Sequence, residues 1–423
     1  MQRRVTGLTA AVAALSMTAL LAGCSGGSGD SGDVTLELVA ADYGDSSANS
    51  SKKYWDALSK KFEAEHPGIK IDVTVLPWTD VDREVKEMVE DGKAPDLAQI
   101  GAYADYAAQD KLYSADDLLS IPTQADFLAP LSKAGEVNRV QYGMPFAAST
   151  RLLFFNEKLF KSAGIEPPES WSELQAAAQK LKARGVKIPY ALPLGPEEAQ
   201  AETMQWLLSG GGGYTDNVGS YDIDAKTNVT TFKWLKDELV GKGLTGPTQP
   251  GKLNRAEAFA AFTRGDVGML NGHPTLMQMA AKKGLKYGMV PMPGINGKAQ
   301  STMGVADWMM AFKQNGHRKE VGEFLNFVYS TENVLDFSRE YDLLPVTTSA
   351  SQAMSEDKED SEKLGQFLEE LPASQLYPVD KTSWAQVSVQ VKKYIGKTVD
   401  ENGNPEAILG QIEAKARAEE NAR

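Results

Sequence analysis

Strand-like and helix-like patterning take turns along this chain, and the alternation runs twice. Asp33 to Ala41 (DVTLELVAA) alternates and then turns apolar, as a strand does. Lys52 to Glu65 places Trp55, Leu58 and Phe62 at helical spacing. Pro67-Gly68 stops that helix, and Ile69, Ile71, Val73 and Val75 alternate as a second strand. Thr79 to Glu90 spaces Val81, Val85 and Met88 as another helix, and Ala94-Pro95-Asp96 leads into a short strand over Leu97–Ile100. The pattern restarts with a strand over Arg151–Asn156. A helix follows, opened by the capping pair Ser170 and Glu173 and ending near Gly185. Further strands read at Tyr190–Leu194, Val267–Leu270 and Tyr287–Val290. Interleaved strands and helices predict βαβ units, a mainly parallel sheet and right-handed connections. Two such blocks predict two α/β lobes with a cleft between them. Beyond about Val321 the chain reads as mostly helical.

Cys24 is the only cysteine. It follows Arg3 and Arg4, an apolar run from about Leu8 to Leu21, and the small residues Ala22-Gly23. That is the layout of a secretory signal, and its apolar run is short for a membrane span. Leu21-Ala22-Gly23-Cys24 resembles the lipobox of bacterial lipoproteins, whose cysteine is diacylated and whose chain is cut just before it. The resemblance implies a signal peptide over 1–23, lipidation (palmitate) at Cys24 and a Gly/Ser leash over 24–32. Two acyl chains anchor stably where one binds only marginally. The expected location is the extracellular face of the bacterial cell membrane. A lipidated Cys24 leaves no internal disulfide, so the core alone must hold the fold, and about 400 residues suffice for two domains.

Forty-four basic residues against 57 acidic ones give a net charge of −13. The signal segment carries two arginines and no acid, so the mature chain stands at −13 − 2 = −15. An acidic surface argues against nucleic-acid binding, which rests on phosphate neutralisation. The three histidines, His66, His273 and His317, form no H-E-x-x-H pair, and no cysteine-based metal site is possible. No G-x-S-x-G elbow appears, and no G-x-G-x-x-G follows the first strand. Gly396-Lys397-Thr398 mimics the end of a phosphate loop, but Val391 stands where a glycine is required. Neither a metal nor a cofactor is expected. Glu197-Glu198 and Asp116-Asp117 read as solvated faces, although two carboxylates are all a glycosidase needs. A large two-lobed chain with no evident reactive group reads as a monomeric binder rather than an enzyme.

The chain resembles the family 1 extracellular solute-binding proteins, the sugar-binding lipoproteins of ABC importers. The resemblance rests on Phe62-Glu63-Ala64-Glu65-His66-Pro67-Gly68-Ile69-Lys70-Ile71, Gly92-Lys93-Ala94-Pro95-Asp96, Tyr142-Gly143-Met144-Pro145-Phe146 and Leu153-Phe154-Phe155-Asn156. It continues through Ala258–Gly265 with Val267-Gly268-Met269, Gly304-Val305-Ala306-Asp307-Trp308 and Leu343-Leu344-Pro345-Val346. It implies a two-lobed periplasmic-binding-protein fold, type II-like, with a cleft between the lobes. Crossings would lie near Phe146–Thr150, Gly304–Trp308 and Leu344–Thr348. One lobe would take 33–147 with 308–346, the other 148–307 with 347–423. The implied partners are a neutral sugar or oligosaccharide, ABC permease subunits, and the membrane through the lipid anchor. Two alternatives stay open: a secreted carbohydrate-active enzyme, and a ligand-binding partner of a sensor kinase.

Cleft ligands bind at strand carboxyl ends and domain interfaces. A pyranose offers a C–H face to aromatic rings and hydroxyls to carboxylates, amides and arginine. Asp42 and Tyr43 follow the first strand, Trp78 the second and Tyr103 the third. Glu202 and Trp206 lie four apart on one helical face, and His273 follows a strand. The resemblance adds Ser149 and Arg151 at the first crossing and Asp307 and Trp308 at the second. It also adds Trp384, where maltose-binding relatives stack a glucose ring. Asp42 also reads as a helix cap, the aromatics as core, and Arg151 as an interlobe ion pair.

Overall fold

A computed structural model describes residues 33–44 and 49–422. The signal segment, Cys24 and the leash lie outside the described residues. Among the described residues there are eleven strands, in chain order β1 (Val34–Ala41), β2 (Ile69–Leu76), β3 (Leu97–Ile100), β4 (Glu136–Val137), β5 (Val140–Gln141), β6 (Met144–Thr150), β7 (Leu152–Asn156), β8 (Ile188–Tyr190), β9 (Val267–Gly272), β10 (Tyr287–Val290) and β11 (Gly304–Ala311). The first sheet has the order β2-β1-β3-β11-β6 and the second β10-β7-β9-β8, while β4 and β5 form a small ribbon. The first three strands pair in parallel, as their helical connections demand. The helix Ser51–Glu65 buries Trp55, Leu58 and Phe62 against them, as its periodicity predicts.

The expectation of a mainly parallel sheet fails beyond this first block. β11 runs antiparallel to both β3 and β6, and β7 antiparallel to both β9 and β10. Among the described strands, β8 and β9 add one more parallel pair. The cause is chain path. β6 leaves the first sheet and runs almost directly into β7 of the second, whereas β11 comes back, so outgoing and returning strands oppose each other. The strand expected over Tyr190–Leu194 is instead Ile188–Tyr190, followed by one more hydrogen bond from the Ala191 N–H to the Met269 carbonyl at 2.9 Å. The Ser170–Glu173 capping pair is half made. Ser170 Oγ accepts from the Glu173 N–H, but the Glu173 carboxylate turns to the Glu169 N–H at 2.8 Å.

Three segments run side by side between the sheets. β6 pairs with β11 from Met144 to Thr150, and Ala148 exchanges both backbone hydrogen bonds with Leu344, at 3.2 and 2.8 Å. The core divides by strand alternation. Leu152 and Phe154 face the apolar cluster shared with the first sheet, whereas Leu153 faces a second cluster around Trp171, Tyr190 and Trp206. Among the described residues, no helix is long and apolar enough to cross a membrane.

Candidate ligand-binding site

Two groups of expected residues come together at the sheet ends. In the first sheet, Gln99 of β3 is fully buried; its Oε1 accepts from the Ala41 N–H at 3.1 Å. Its Nε2 donates to the Tyr43 hydroxyl at 2.8 Å, and that hydroxyl donates to Asp307 Oδ2 at 2.8 Å. Burial, and then the charge of Asp82, push the Asp307 carboxyl up to about 7, against the pull of the Tyr43 hydrogen bond. Trp78 packs edge-on against Tyr43 with ring centres 5.3 Å apart, and is 36% exposed. Asp42 belongs to the backbone here: its Oδ1 accepts from the N–H groups of Gly44 and Ser51, which ties the end of β1 to the first turn of the helix Ser51–Glu65, itself capped by Ser50.

In the second sheet, β9 is buried throughout yet carries a polar residue, Asn271, one place before its end. Next to it lies the helix Ala199–Ser209, buried along almost its entire length, which carries Glu202 and Gln205 one turn apart. Trp206 Nε1, Asn271 Nδ2 and the Tyr190 hydroxyl all reach the same carboxylate oxygen, Glu202 Oε1, at 2.8, 2.9 and 3.4 Å. Burial raises the Glu202 carboxyl to about 7, although these donors and Arg151 pull it down. The Met303 N–H and the Thr302 hydroxyl lie 3.0 Å from Gln205 Oε1, which fixes the amide and leaves its Nε2 buried without a partner. Asn271 Oδ1 is likewise buried and unpartnered. Gln205 and Asn271, with Arg151, Glu198, Glu202, Arg255, Phe259 and His273, line one pocket.

The pocket's arginines are already neutralised. Arg151 donates to Glu198 at 3.1 Å, and Arg255 pairs with both Glu197 and Glu198. Burial first, then the charges of Arg151 and Arg255, hold His273 well below its ordinary pKa, so it is a neutral imidazole. It begins the helix Pro274–Lys283 without a side-chain cap, its ring 5.2 Å from Phe259.

Four expected aromatics are corrected to structural residues. Tyr103 and Trp308 are fully buried, 5.2 Å apart and edge-on, with the Tyr103 hydroxyl on the Ala134 carbonyl. They pack so tightly on Gly143 that a Cβ there would fall 2.7 Å from Tyr103 and 3.0 Å from Trp308. Trp206 is also fully buried, between Trp171, Tyr190 and Trp234, and touches the site only through Glu202. Trp384 is 8% exposed, and Tyr377 already stacks on it at 5.2 Å. Ser149 lies half-buried in β6 opposite Val305 and joins neither group.

Sequence reading missed Gln99, Gln205, Asn271, Arg255 and the role of Glu198. A polar residue near the end of the apolar strand VGMLNG, and a glutamine one turn after Glu202 on a buried helix, were the available signals.

A family model described as bacterial extracellular solute-binding protein matches residues 45–335. The chain belongs to this family. A binding protein of Brucella abortus (strain 2308) is 28% identical over 382 residues, covering 86% of this solute-binding protein and 89% of the relative. The sn-glycerol-3-phosphate-binding periplasmic protein of Rhizobium meliloti is 27% identical over 218 residues, 49% of each chain. Among solved structures, the cyclic α-maltosyl-1,6-maltose binding protein of Arthrobacter globiformis superposes with a TM-score of 0.78 at 18% identity, over 93% of this chain and all of its own. The GacH receptor of Streptomyces glaucescens does so at 0.76 and 19%, over 92% and 99%. The fold of this family member is therefore the two-lobed α/β architecture of those proteins.

Proposed function

We propose that this family member captures a neutral sugar or oligosaccharide outside the cell and delivers it to an ABC permease, without chemical conversion. One observation carries the reading: Asn271 Oδ1 and Gln205 Nε2 are buried without partners beside Glu202, where all three donors crowd onto one carboxylate oxygen. The pocket therefore presents acceptors at Asn271 and Glu202 and a donor at Gln205. Hydroxyl groups, each both donor and acceptor, satisfy this set. A phosphate ester offers almost only acceptors, and the arginines it would seek are held by Glu197 and Glu198. An unmet buried polar group costs about 1–3 kcal/mol, so the set strongly favours a polyhydroxylated ligand.

The mechanism we propose is hinge closure of a lobe of 33–147 with 308–346 on one of 148–307 with 347–423. The three adjacent segments around Ala148, Gly304–Asp307 and Leu344 would be the hinge. Tyr43 and Trp78 would meet the ligand from one lobe, Arg151, Glu202, Asn271 and His273 from the other, and Asp307 from the crossing between them. The protein would work as a monomer tethered through lipidated Cys24. Titration calorimetry against neutral mono- and oligosaccharides and against sn-glycerol-3-phosphate tests the reading. Saturable binding of a neutral sugar that is recovered intact is expected. Binding of the phosphate ester alone would overturn the ligand class, and cleavage of the sugar would overturn the role.

A further inference from the structure

Far from this pocket in sequence, three ammonium groups converge on one phenol. Lys393 Nζ, Lys397 Nζ and Lys415 Nζ lie 5.3, 5.0 and 5.0 Å from the centre of the Tyr394 ring. Lys393 and Tyr394 end the helix Trp384–Tyr394, Lys397 belongs to the 3-10 turn Ile395–Val399, and Lys415 to the helix Pro405–Asn421. No two of these cations are farther apart than the sum of their distances to the ring. That places them within about one Debye length of each other, so they repel.

Local structure does not account for the arrangement. Cation–π attraction at an exposed ring is worth about 0.5–1 kcal/mol, and a ring has only two faces for three cations. Acids outnumber bases by 57 to 44, and most other lysine clusters here are interleaved with carboxylates. Yet among the described residues no carboxylate lies within ion-pairing distance of these three. Their one polar side-chain partner besides Tyr394 is Gln390, whose Oε1 accepts from Lys415 at 2.9 Å. The hydrogen bond and charge of Lys393, then the charge of Lys415, pull the phenol below its ordinary pKa, as an electropositive spot would.

We propose that Lys393, Lys397, Lys415 and the Tyr394 hydroxyl form a binding site for a phosphate group. Ammonium groups bind phosphate as point charges, and three of them around one phenol concentrate positive charge beside a hydroxyl that can donate. The phosphate comes from a free anion or from an anionic lipid headgroup, and the two sources separate by experiment.

The full chain is titrated with inorganic phosphate at constant ionic strength, with chloride as the control anion. The same chain is then floated with vesicles of phosphatidylcholine alone or mixed with phosphatidylglycerol. Phosphate should bind saturably, and Lys393→Gln/Lys397→Gln/Lys415→Gln should weaken it at least tenfold. Flotation that needs phosphatidylglycerol and falls in the triple variant assigns the site to a lipid surface; binding of the free anion without it assigns a soluble source. Tyr394→Phe, which keeps all three lysines and the packing, should weaken phosphate binding severalfold and serves if the triple variant fails to fold. No binding of either probe, or equal binding by parent and variants, overturns the proposal.

Discussion

The Tyr43 hydroxyl donates to Asp307 across 2.8 Å, joining the end of β1 to a strand 264 residues later in the chain. It supplies the one hydrogen bond that lowers the pKa of a carboxyl otherwise pushed up by burial. Tyr43→Phe should therefore destabilise the fold by about 1–3 kcal/mol, the cost of orphaning a buried polar group. Urea unfolding measures it, and an unchanged midpoint would remove Tyr43 as the partner that matters.

Asp307 and Glu202 are each raised to about 7, whereas both ionise near 4 in an unfolded chain. Between those values the folded protein keeps protons that the unfolded one releases. Their contribution to stability is thus full below about pH 4, falls as pH rises toward 7, and is flat above. Asp307→Asn should reduce this fall relative to the parent when unfolding is compared at pH 5 and pH 8. Equal differences in the two proteins would contradict the assignment.

Glu202→Gln keeps the size of the side chain but removes charge from the hydrogen bonds proposed to a sugar. Binding should weaken by about tenfold or more, since a hydrogen bond to a charged group is worth about 1.5–3 kcal/mol. In the parent, affinity should rise as pH increases through 7, and in the variant it should not. Calorimetry at three pH values decides.

Trp78 and Trp308 should separate binding from stability. Trp308 is fully buried, so Trp308→Ala should cost about 3–5 kcal/mol of stability. Trp78 is 36% exposed, so Trp78→Ala should leave the melting temperature nearly unchanged. As a ring at the proposed ligand face, Trp78 should give up about 1–3 kcal/mol of sugar affinity on truncation. The reverse pattern would move the site.

Cys24→Ala should release the protein from the membrane or leave its signal uncut. Mass spectrometry of the mature N-terminus reads the outcome, and an unlipidated chain starting elsewhere would end the anchor proposal.

How much was legible divides by the range of the interaction. Helix Ser51–Glu65 and strands β1 to β3 were readable because periodicity is local. The antiparallel insertion of β11 was not, because nothing near Gly304–Ala311 states which strands it will lie between. The aromatics show the same limit. Trp78, Tyr103 and Trp308 were all proposed as ligand contacts, yet one ends exposed and two end beneath Gly143. Asn271 and Gln205 escaped notice because their importance lies in partners they lack, which only packing reveals.

β11 fills the gap between β3 and β6, so that Ala311 pairs with Leu97. A growing chain cannot close its first sheet until that strand has been made, and until then β3 presents a bare edge. Any fragment cut before Gly304 lacks the piece that joins the two halves of the sheet. Long-range pairing of this kind slows folding. Closure of the first sheet therefore waits on a strand that follows every strand of the second sheet in the chain.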